Sequence, residues 1–344
     1  MYQVSKVINE VRRTSDVRTD GTIICLVGMT PPYQLIQVGI KDNTSLLVRE
    51  LNMALDDAYI EFTNSYLLIS FPQENRTVCL PTQSEGPTLE FSFGFRTLVK
   101  SDSFLLGTIE HRDQVFYGVF QDEESTFKNL FPKGKQVLMM GNHEKILFYE
   151  NSNEERSFAT YDYSNQIWIW KRNINEYAKK LNLNKWPGIK FAKKVFHKEY
   201  LFGAVNNCGL TAFNWNDGQI EWYHEKINDL IRIEENKLLN IDATGYRELE
   251  LDTGSLLSKF SLKESLLFHK ASRTDNDKFT FNEESVFVLD QRKSLIAQVN
   301  RRNGLIQDLI ELDTYPGRLT NVLKSFGTNL LALKDEGHLI ILTK

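Results

Sequence analysis

Apolar and polar residues alternate along most of the chain, in short runs separated by polar turns. Four segments share one arrangement, an alternating run, a short turn and a second alternating run: TYDYSNQIWIW (160–170), AFNWNDGQIEW (212–222), ELELDTGSLLS (248–258) and QVNRRNGLIQD (298–308). Alternation with a period of two is typical of strands that bury one face. Each segment therefore predicts two antiparallel strands joined by a tight turn.

The turn residue is glycine in three of these segments, at Gly218, Gly254 and Gly304, and Gln166 takes its place in the first. Glycine is favoured where a tight turn needs a positive φ. The conserved position of the turn within each segment indicates that the four segments are copies of one structural unit.

Weaker versions of the unit occur upstream, with turns near Ser45, Gly86 and Ser125. Successive turns are 41, 39, 41, 52, 36 and 50 residues apart, about 43 on average. Further short alternating runs lie between the turns, so each unit holds four strands. Four strands in forty-odd residues are typical of a β-propeller blade.

Chain length sets the number of blades. Dividing 344 residues by about 43 predicts eight, with seven as the alternative because the first strand of the opening blade, near 11–17, is poor. The C-terminal stretch supplies three strands, and residues 2–8 can supply the fourth. We therefore predict one all-β domain over 1–344, a propeller of four-stranded blades whose ring closes by pairing of the N- and C-terminal strands.

The best copy, AFNWNDGQIEW, resembles the tryptophan-docking repeat of propellers in the pyrroloquinoline-quinone-binding superfamily. Ala212, Asn214, Asp217, Gly218 and Trp222 fill that repeat. The other copies are degenerate, since the first has Thr160 and Gln166 but keeps the tryptophan at position 170, and the third and fourth keep only the turn. The resemblance covers about half the chain.

What the resemblance implies is mainly structural. In this superfamily the tryptophan packs between neighbouring blades and the turn holds it, so we expect structural roles for Trp170, Trp222, Gly218, Gly254 and Gly304. Some members are exported quinone- and calcium-dependent dehydrogenases, and others are interaction scaffolds. This chain lacks an export signal and a vicinal cysteine pair, so it resembles the non-enzymatic branch.

Composition and charge exclude several classes. The chain is 41% hydrophobic, which is enough for a core, and its net charge of −4 gives no global argument for binding nucleic acid or membranes. The longest nearly apolar stretch, 22–29, is too short to span a bilayer. No secretory h-region is visible, and the three cysteines are an odd number at unrelated spacings, so we expect a cytoplasmic monomer.

No motif for catalysis, metal binding or cofactor binding stands out, and we expect no cofactor and no metal site. Acidic clusters such as Asp122–Glu124 fall at breaks in the strand pattern, where charges are usually solvated. Carboxylates that converge at the mouth of the channel cannot be found from adjacency in sequence. A hydrolase or quinone-type oxidoreductase therefore stays open as the alternative.

A basic insertion lengthens the spacing of 52 residues. It begins as a helical segment at about 171–188, with Asn173 or Asn175 as its cap, and 171–198 has a formal charge of about +8. The insertion connects the last strand of one blade to the first strand of the next, and in propellers such loops surround the mouth of the channel. An acidic protein is therefore the expected partner. The simpler alternative is that the insertion is a helix that covers a blade edge. The candidate partner-binding residues are Lys171, Arg172, Tyr177, Lys179, Lys180, Lys185, Trp186, Lys190, Lys193 and Lys194.

These observations favour a non-catalytic scaffold that binds a protein partner. A cytoplasmic immunity protein that occludes a toxin is the more specific form of this hypothesis. The propeller enzyme is the alternative, and nucleic-acid binding through the basic insertion stands third.

Overall fold

The structure is a computed structural model that describes residues 2–83, 86–100, 104–111, 114–134, 136–142, 144–151, 156–182, 189–197, 199–205, 209–225, 227, 231–242, 245–261, 279–290 and 293–344. It contains eight four-stranded antiparallel sheets, which are the blades of a β-propeller. The predictions of an all-β fold and of eight blades rather than seven are confirmed.

The chain begins with strand β1 (Gln3–Ile8) and then forms four blades in sequence order. Blade 1 contains β2 (Val11–Thr14), β3 (Thr22–Val27), β4 (Tyr33–Gly39) and β5 (Ser45–Leu51). Blade 2 contains β6 (Tyr59–Phe62), β7 (Tyr66–Phe71), β8 (Arg76–Pro81) and β9 (Leu89–Phe91), with a 3-10 turn at Pro72–Glu74. Blade 3 contains β10 (Gly94–Lys100), β11 (Phe104–His111), β12 (Gln114–Gln121) and β13 (Thr126–Pro132). Blade 4 contains β14 (Gln136–Gly141), β15 (Lys145–Asn151), β16 (Arg156–Asp162) and β17 (Ile167–Asn173).

The helix α1 (Ile174–Lys180) follows blade 4, and four more blades complete the ring. Blade 5 contains β18 (Ile189–His197), β19 (Tyr200–Val205), β20 (Gly209–Asn214) and β21 (Ile220–Glu225). Blade 6 contains β22 (Ile231–Glu234), β23 (Lys237–Asp242), β24 (Gly245–Glu250) and β25 (Leu256–Ser261). Blade 7 contains β26 (Phe279–Phe281), β27 (Ser285–Asp290), β28 (Leu295–Asn300) and β29 (Ile306–Glu311). Blade 8 contains β30 (Leu319–Phe326), β31 (Asn329–Lys334) and β32 (Leu339–Thr343), and β1 is its outer strand.

The hydrophobic core is divided into layers that lie between blades. Each of eight apolar clusters combines residues of two neighbouring blades, including the cluster that joins blade 8 to blade 1. In the layer between blades 5 and 6, for example, Phe202 and Trp222 pack with Leu238 and Leu249. No blade therefore covers its own apolar faces.

The first strand of each blade is innermost. Neighbouring first strands contact one another, as β10 does with both β6 and β14. The fourth strand is outermost and leaves one edge unpaired, which in an isolated sheet is a template for aggregation.

The outer edges are irregular in a repeated way. In seven blades the outer strand has one extra residue against its neighbour, a β-bulge, at Ser5, Val48, Leu130, Ile169, Glu221, Leu257 and Gln307. In blade 2 the outer strand β9 is only three residues long and its pairing is continuous. Bulges and short strands both discourage pairing with a second chain.

The residue after the bulge joins its blade to the next one. The indole nitrogen of Trp170 donates to Trp215 O at 2.8 Å, and that of Trp222 donates to Leu251 O at 2.9 Å. Each ring also lies against the turn glycine of the next blade, Gly218 for Trp170 and Gly254 for Trp222. Both glycines have positive φ, at 72° and 69°.

In other blades, different residues connect the outer strand to the turn of the next blade. Lys6 donates to Asn43 O and, at 2.7 Å, to Ser45 Oγ, and Arg49 donates to Thr88 Oγ1 at 2.9 Å. In blade 6 the expected tryptophan position is Ser258, and Phe260 packs on Gly304 instead. The sequence did not reveal this substitution because Phe260 lies two residues beyond the repeat position.

Deletion of residues 1–9 should destabilise the ring. It removes β1, exposes the edge of β32 and takes Tyr2 and Ile8 out of their layers, each worth roughly 3 kcal/mol. We expect the melting temperature, measured by circular dichroism, to fall by about 10 °C or more. Ser5→Ala is the control, since it keeps the strand and should change the melting temperature by less than about 2 °C. An unaffected melting curve in the deletion variant would show that β1 is dispensable.

The join of Trp222 and Gly254 can be tested with a double-mutant cycle. A Cβ at Gly254 would lie 2.6 Å from Trp222 Cδ2, so Gly254→Ala combines a clash with an unfavourable φ. We expect Gly254→Ala to cost about 3 kcal/mol in the wild type but about 1 kcal/mol in Trp222→Ala, which itself costs about 3–5 kcal/mol. Chemical denaturation measures all three.

Gly327 provides the matched control. Its φ is also positive, at 57°, but a Cβ there would contact nothing within 4 Å. Gly327→Ala should therefore cost only about 1 kcal/mol in either background. Equal costs for Gly254→Ala with and without Trp222 would contradict the docking role of the glycine.

Candidate functional site

The insertion after blade 4 begins with a short capped helix. The Asn173 side chain accepts a hydrogen bond from Asn175 N at 2.8 Å, so Asn173 is the N-cap of α1. Ile174, Tyr177 and Ala178 are buried on one side of the helix, and Lys179 and Lys180 lie on the exposed side. These buried residues form one apolar stripe along the helix.

The helix, which follows blade 4, is hydrogen-bonded to the outer hairpin of blade 5. The Tyr177 hydroxyl donates to Gly218 O at 2.8 Å, and Lys180 Nζ donates to Ile220 O at 2.9 Å. Arg172 Nε donates to Asp217 O at 3.1 Å. The sequence analysis predicts that this segment lies around the channel mouth. The described part instead contacts the outer strands of blade 5, because β17, which precedes it, is the outer strand of blade 4.

The predicted partner-binding residues of the insertion therefore fall into three groups. Lys171, Arg172, Tyr177 and Lys180 make contacts within the protein: Lys171 pairs with Glu150, and Tyr177 is 4% exposed. Lys179 is exposed. Lys185 and Trp186, and the side chains of Lys190, Lys193 and Lys194, lie outside the described residues, although these three lysines belong to strand β18.

The wall of the central channel is a second candidate. A cavity of about 290 Å³ opens among the inner strands of blades 1 to 4. Its polar lining includes Arg13, Glu61 and Lys100, and Lys100 Nζ lies 3.5 Å from Glu61 Oε2. Met139 and Leu98 contribute apolar lining.

Large apolar side chains are exposed on three successive inner strands. Tyr59 of β6 is 46% exposed, Leu98 of β10 is 38% exposed and Val137 of β14 is 52% exposed. The Arg96 guanidinium lies over the Tyr59 ring, 5.7 Å from its centroid. The channel wall of blades 2 to 4 thus combines apolar surface with cationic side chains.

A buried ionic cluster joins blades 6 and 7. Arg301, in the turn after β28, donates to Glu248 Oε1 at 3.1 Å, to Glu234 Oε1 at 3.0 Å and to Asn282 O at 2.9 Å. The Tyr246 hydroxyl donates to Glu248 Oε1 at 2.6 Å. A cavity of about 490 Å³ adjoins these side chains.

The charges in this cluster stabilise one another. Burial alone would raise the pKa of Glu248, but hydrogen bonds from Tyr246 and Arg301 and the charge of Arg301 lower it. Burial alone would lower the pKa of Arg301, but the hydrogen bond and charge of Glu234, together with Glu248, raise it. The cluster holds two blades together, so we assign it a structural role.

The two described cysteines lie in the core. Burial raises the pKa of both Cys25 and Cys79 to about 12, so neither is a thiolate near neutral pH. Cys208 lies outside the described residues. Among the residues that the structure describes, no group of three His, Cys, Asp or Glu side chains is arranged to hold a metal ion.

Sequence reasoning missed the channel residues. Arg13 lies on β2, whereas Arg96 and Lys100 lie on β10; they match no motif, and only the arrangement of the inner strands brings Arg13 beside Lys100. Once the repeat had been assigned, the net positive charge of the blades' first strands could have indicated these residues.

The fold is similar to that of known propellers. BamB from Moraxella catarrhalis matches with a TM-score of 0.55 at 12% identity, over 100% of both chains. The computationally designed Ika8 protein matches with a TM-score of 0.60 at 9% identity, over 98% of both chains. Sqt1 from Saccharomyces cerevisiae matches with a TM-score of 0.56 at 9% identity, over 99% of this chain and 97% of Sqt1.

The sequence matches no family model and no curated protein. At these identities the structural likeness shows the propeller fold alone. The resemblance to the non-enzymatic tryptophan-docking branch stays a prediction. None of the helices in the described part of the chain is long and apolar enough to cross a lipid bilayer.

The cluster around Arg301 generates a stability prediction. Arg301→Ala removes the ion pairs of buried Glu248 and half-buried Glu234. Within the described part of the chain it leaves Glu248 only Tyr246 and Lys237 as partners, and it should cost about 3 kcal/mol. The adjacent Arg302 is exposed, so Arg302→Ala should cost less than about 0.5 kcal/mol. Because the folded state lowers the pKa of Glu248, the cluster's contribution is present at neutral pH and is lost as pH falls through that pKa.

Chemical denaturation at neutral and acidic pH measures both effects. We expect the difference in free energy of unfolding between wild type and Arg301→Ala to become smaller at acidic pH. A gap that stays constant with pH would show that Arg301 acts through packing rather than through its carboxylate partners.

Proposed function

We propose that the protein is a non-catalytic scaffold that binds a protein partner at the channel wall of blades 2 to 4. The observation that carries this proposal is the exposure of Tyr59, Leu98 and Val137 on successive inner strands. Grouped exposed apolar residues are a feature of interaction sites, whereas scattered ones are ordinary. The adjacent Arg96 adds a second residue type that is common in binding hot spots.

The carboxylates of the inner strands support binding over catalysis. The eight inner strands contain two acidic residues, Glu61 and Glu234. Glu61 pairs with Lys100, and Glu234 pairs with Arg301. A glycosidase-type mechanism uses two carboxylates on either side of a substrate, and these two are each paired with a cation instead.

The contacts of α1 favour the simpler interpretation of the insertion, a helix that covers a blade edge. Three of its predicted partner residues, Arg172, Tyr177 and Lys180, bond to the outer hairpin of blade 5. We therefore propose the channel wall, rather than α1, as the main partner surface. Lys179 remains available on the exposed side of the helix.

A cytoplasmic immunity protein is the narrower form of this proposal. Its support is an analogy with propellers that neutralise toxins by binding them, together with the cytoplasmic location that the sequence analysis predicts. It predicts that expression of the chain protects cells from a toxin that binds the same channel wall.

The test compares charged substitutions at exposed apolar positions. Val137→Glu, on the channel wall, should abolish capture of a stoichiometric partner from extracts of the source cells, because it places an unpaired charge in the interface. Leu46→Glu is the matched control, since Leu46 is 65% exposed on the outer strand of blade 1. Pull-down with quantitative mass spectrometry measures both.

The outcomes separate the candidate surfaces. Capture that is lost in Val137→Glu and kept in Leu46→Glu supports the channel wall. Capture that is lost only in Lys179→Glu would move the partner surface to α1. Identical capture by all variants would overturn the proposed site.

A further inference from the structure

The formal charges of the protein are distributed unevenly between the inner strands and the rest of the chain. The eight inner strands contain nine basic residues, Arg12, Arg13, Arg96, Lys100, Lys190, Lys193, Lys194, Arg232 and Lys324, against two acidic ones. Their formal charge is +7, whereas the whole chain has −4, so the remainder carries −11. The inner strands that surround the channel therefore carry a net positive formal charge in an otherwise acidic chain.

Part of this positive charge is used within the fold. Lys324 Nζ lies 2.8 Å from Asp16 Oδ1, and Lys100 Nζ lies 3.5 Å from Glu61 Oε2. Arg12 stacks over the Tyr33 ring and donates to Met29 O at 3.1 Å. These three side chains have roles that the fold itself explains.

Three other arginines are exposed and have no carboxylate partner within the described part of the chain: Arg13, Arg96 and Arg232. Arg96 lies over the Tyr59 ring, and Arg232 lies over the Phe279 ring at 5.2 Å from its centroid. Stacking on a ring orients a guanidinium without neutralising it. The guanidinium of Arg232 also donates to Ile231 O at 3.2 Å, and partial desolvation of this group by the protein lowers its pKa.

We propose that the channel receives an acidic polypeptide segment of the partner, whose carboxylates pair with Arg13, Arg96 and Arg232. This inference rests on the proposed scaffold function and specifies the chemistry that the channel recognises. The arginine fork binds a carboxylate with two parallel hydrogen bonds, which gives geometric specificity as well as affinity. The same segment competes with Glu61 for Lys100.

The surroundings favour an acidic peptide over a nucleic acid. The cavity between blades 1 and 4 is lined by apolar groups such as Leu98 and Met139 as well as by Arg13 and Lys100. Aspartate and glutamate with apolar neighbours match such a mixed lining. A long polyanion would also be repelled by the charge of −11 that the rest of the chain carries, whereas a protein can confine its negative charge to the segment that enters.

Fluorescence anisotropy with defined probes tests the proposal on the full chain. The probe is a fluorescein-labelled peptide of repeating Glu-Leu-Glu-Gly units, and the same peptide with glutamine in place of glutamate is its neutral match. We expect the acidic peptide to bind, the neutral peptide to bind at least about tenfold more weakly, and the affinity to fall as salt rises.

Charge-reversal variants locate the binding. Arg13→Glu combined with Arg96→Glu should raise the Kd for the acidic peptide by about tenfold or more. Arg302→Glu is the matched control, since Arg302 is an exposed arginine in the turn after β28, and it should leave the Kd unchanged. Melting curves of both variants check that each one is folded.

Each outcome decides for or against the proposal. Equal binding of both peptides, equal effects of the channel and control variants, or tighter binding of a single-stranded oligonucleotide would overturn it. If the acidic peptide fails to bind while Val137→Glu still abolishes partner capture, the acidic-segment inference is wrong and the scaffold function stands. If the acidic peptide binds but Val137→Glu leaves partner capture unchanged, the proposed scaffold site is wrong instead.

Discussion

The hydrophobic layer between neighbouring blades is the interaction on which the rest of the structure depends. Every large apolar cluster is shared by two blades, so a blade that lost a neighbour would expose half of its core. The ring must therefore close, and the layer between blades 8 and 1 is as apolar as the others. Strand β1 contributes to closure by pairing with β32 from the opposite end of the chain.

The contacts between each outer strand and the next blade occupy the same position but use different side chains. A bulge sets the position after it to face the next blade, and that position is Trp170, Trp222, Arg49 or Lys6 in different blades. An indole that donates to a carbonyl and an ammonium that donates to a carbonyl satisfy the same turn. The bulge serves a second purpose, because it makes the outer edge a poor template for another strand.

The inner strands and the rest of the chain have opposite formal charges. The inner strands carry arginines from three blades, namely Arg12 and Arg13, Arg96, and Arg232, whereas the rest of the chain is net acidic. Concave surfaces of one charge focus the electric field and accelerate the arrival of an oppositely charged partner. The exposed Tyr59 and Val137 can then supply the short-range apolar contact that charge alone does not.

The sequence alone determined the blade, the number of blades and the capped helix after blade 4, because each follows from local periodicity, turn residues and chain length. It did not determine the site. Phe260 replaces a repeat tryptophan from two residues away, and α1 packs on an outer hairpin rather than at the channel mouth. The cavity among the inner strands brings Arg13 of blade 1 beside Lys100 of blade 3, and Arg96 and Arg232 lie on the inner strands of blades 3 and 6. Only the closed ring decides such contacts, since they depend on the twist of each sheet and on packing between residues far apart in sequence.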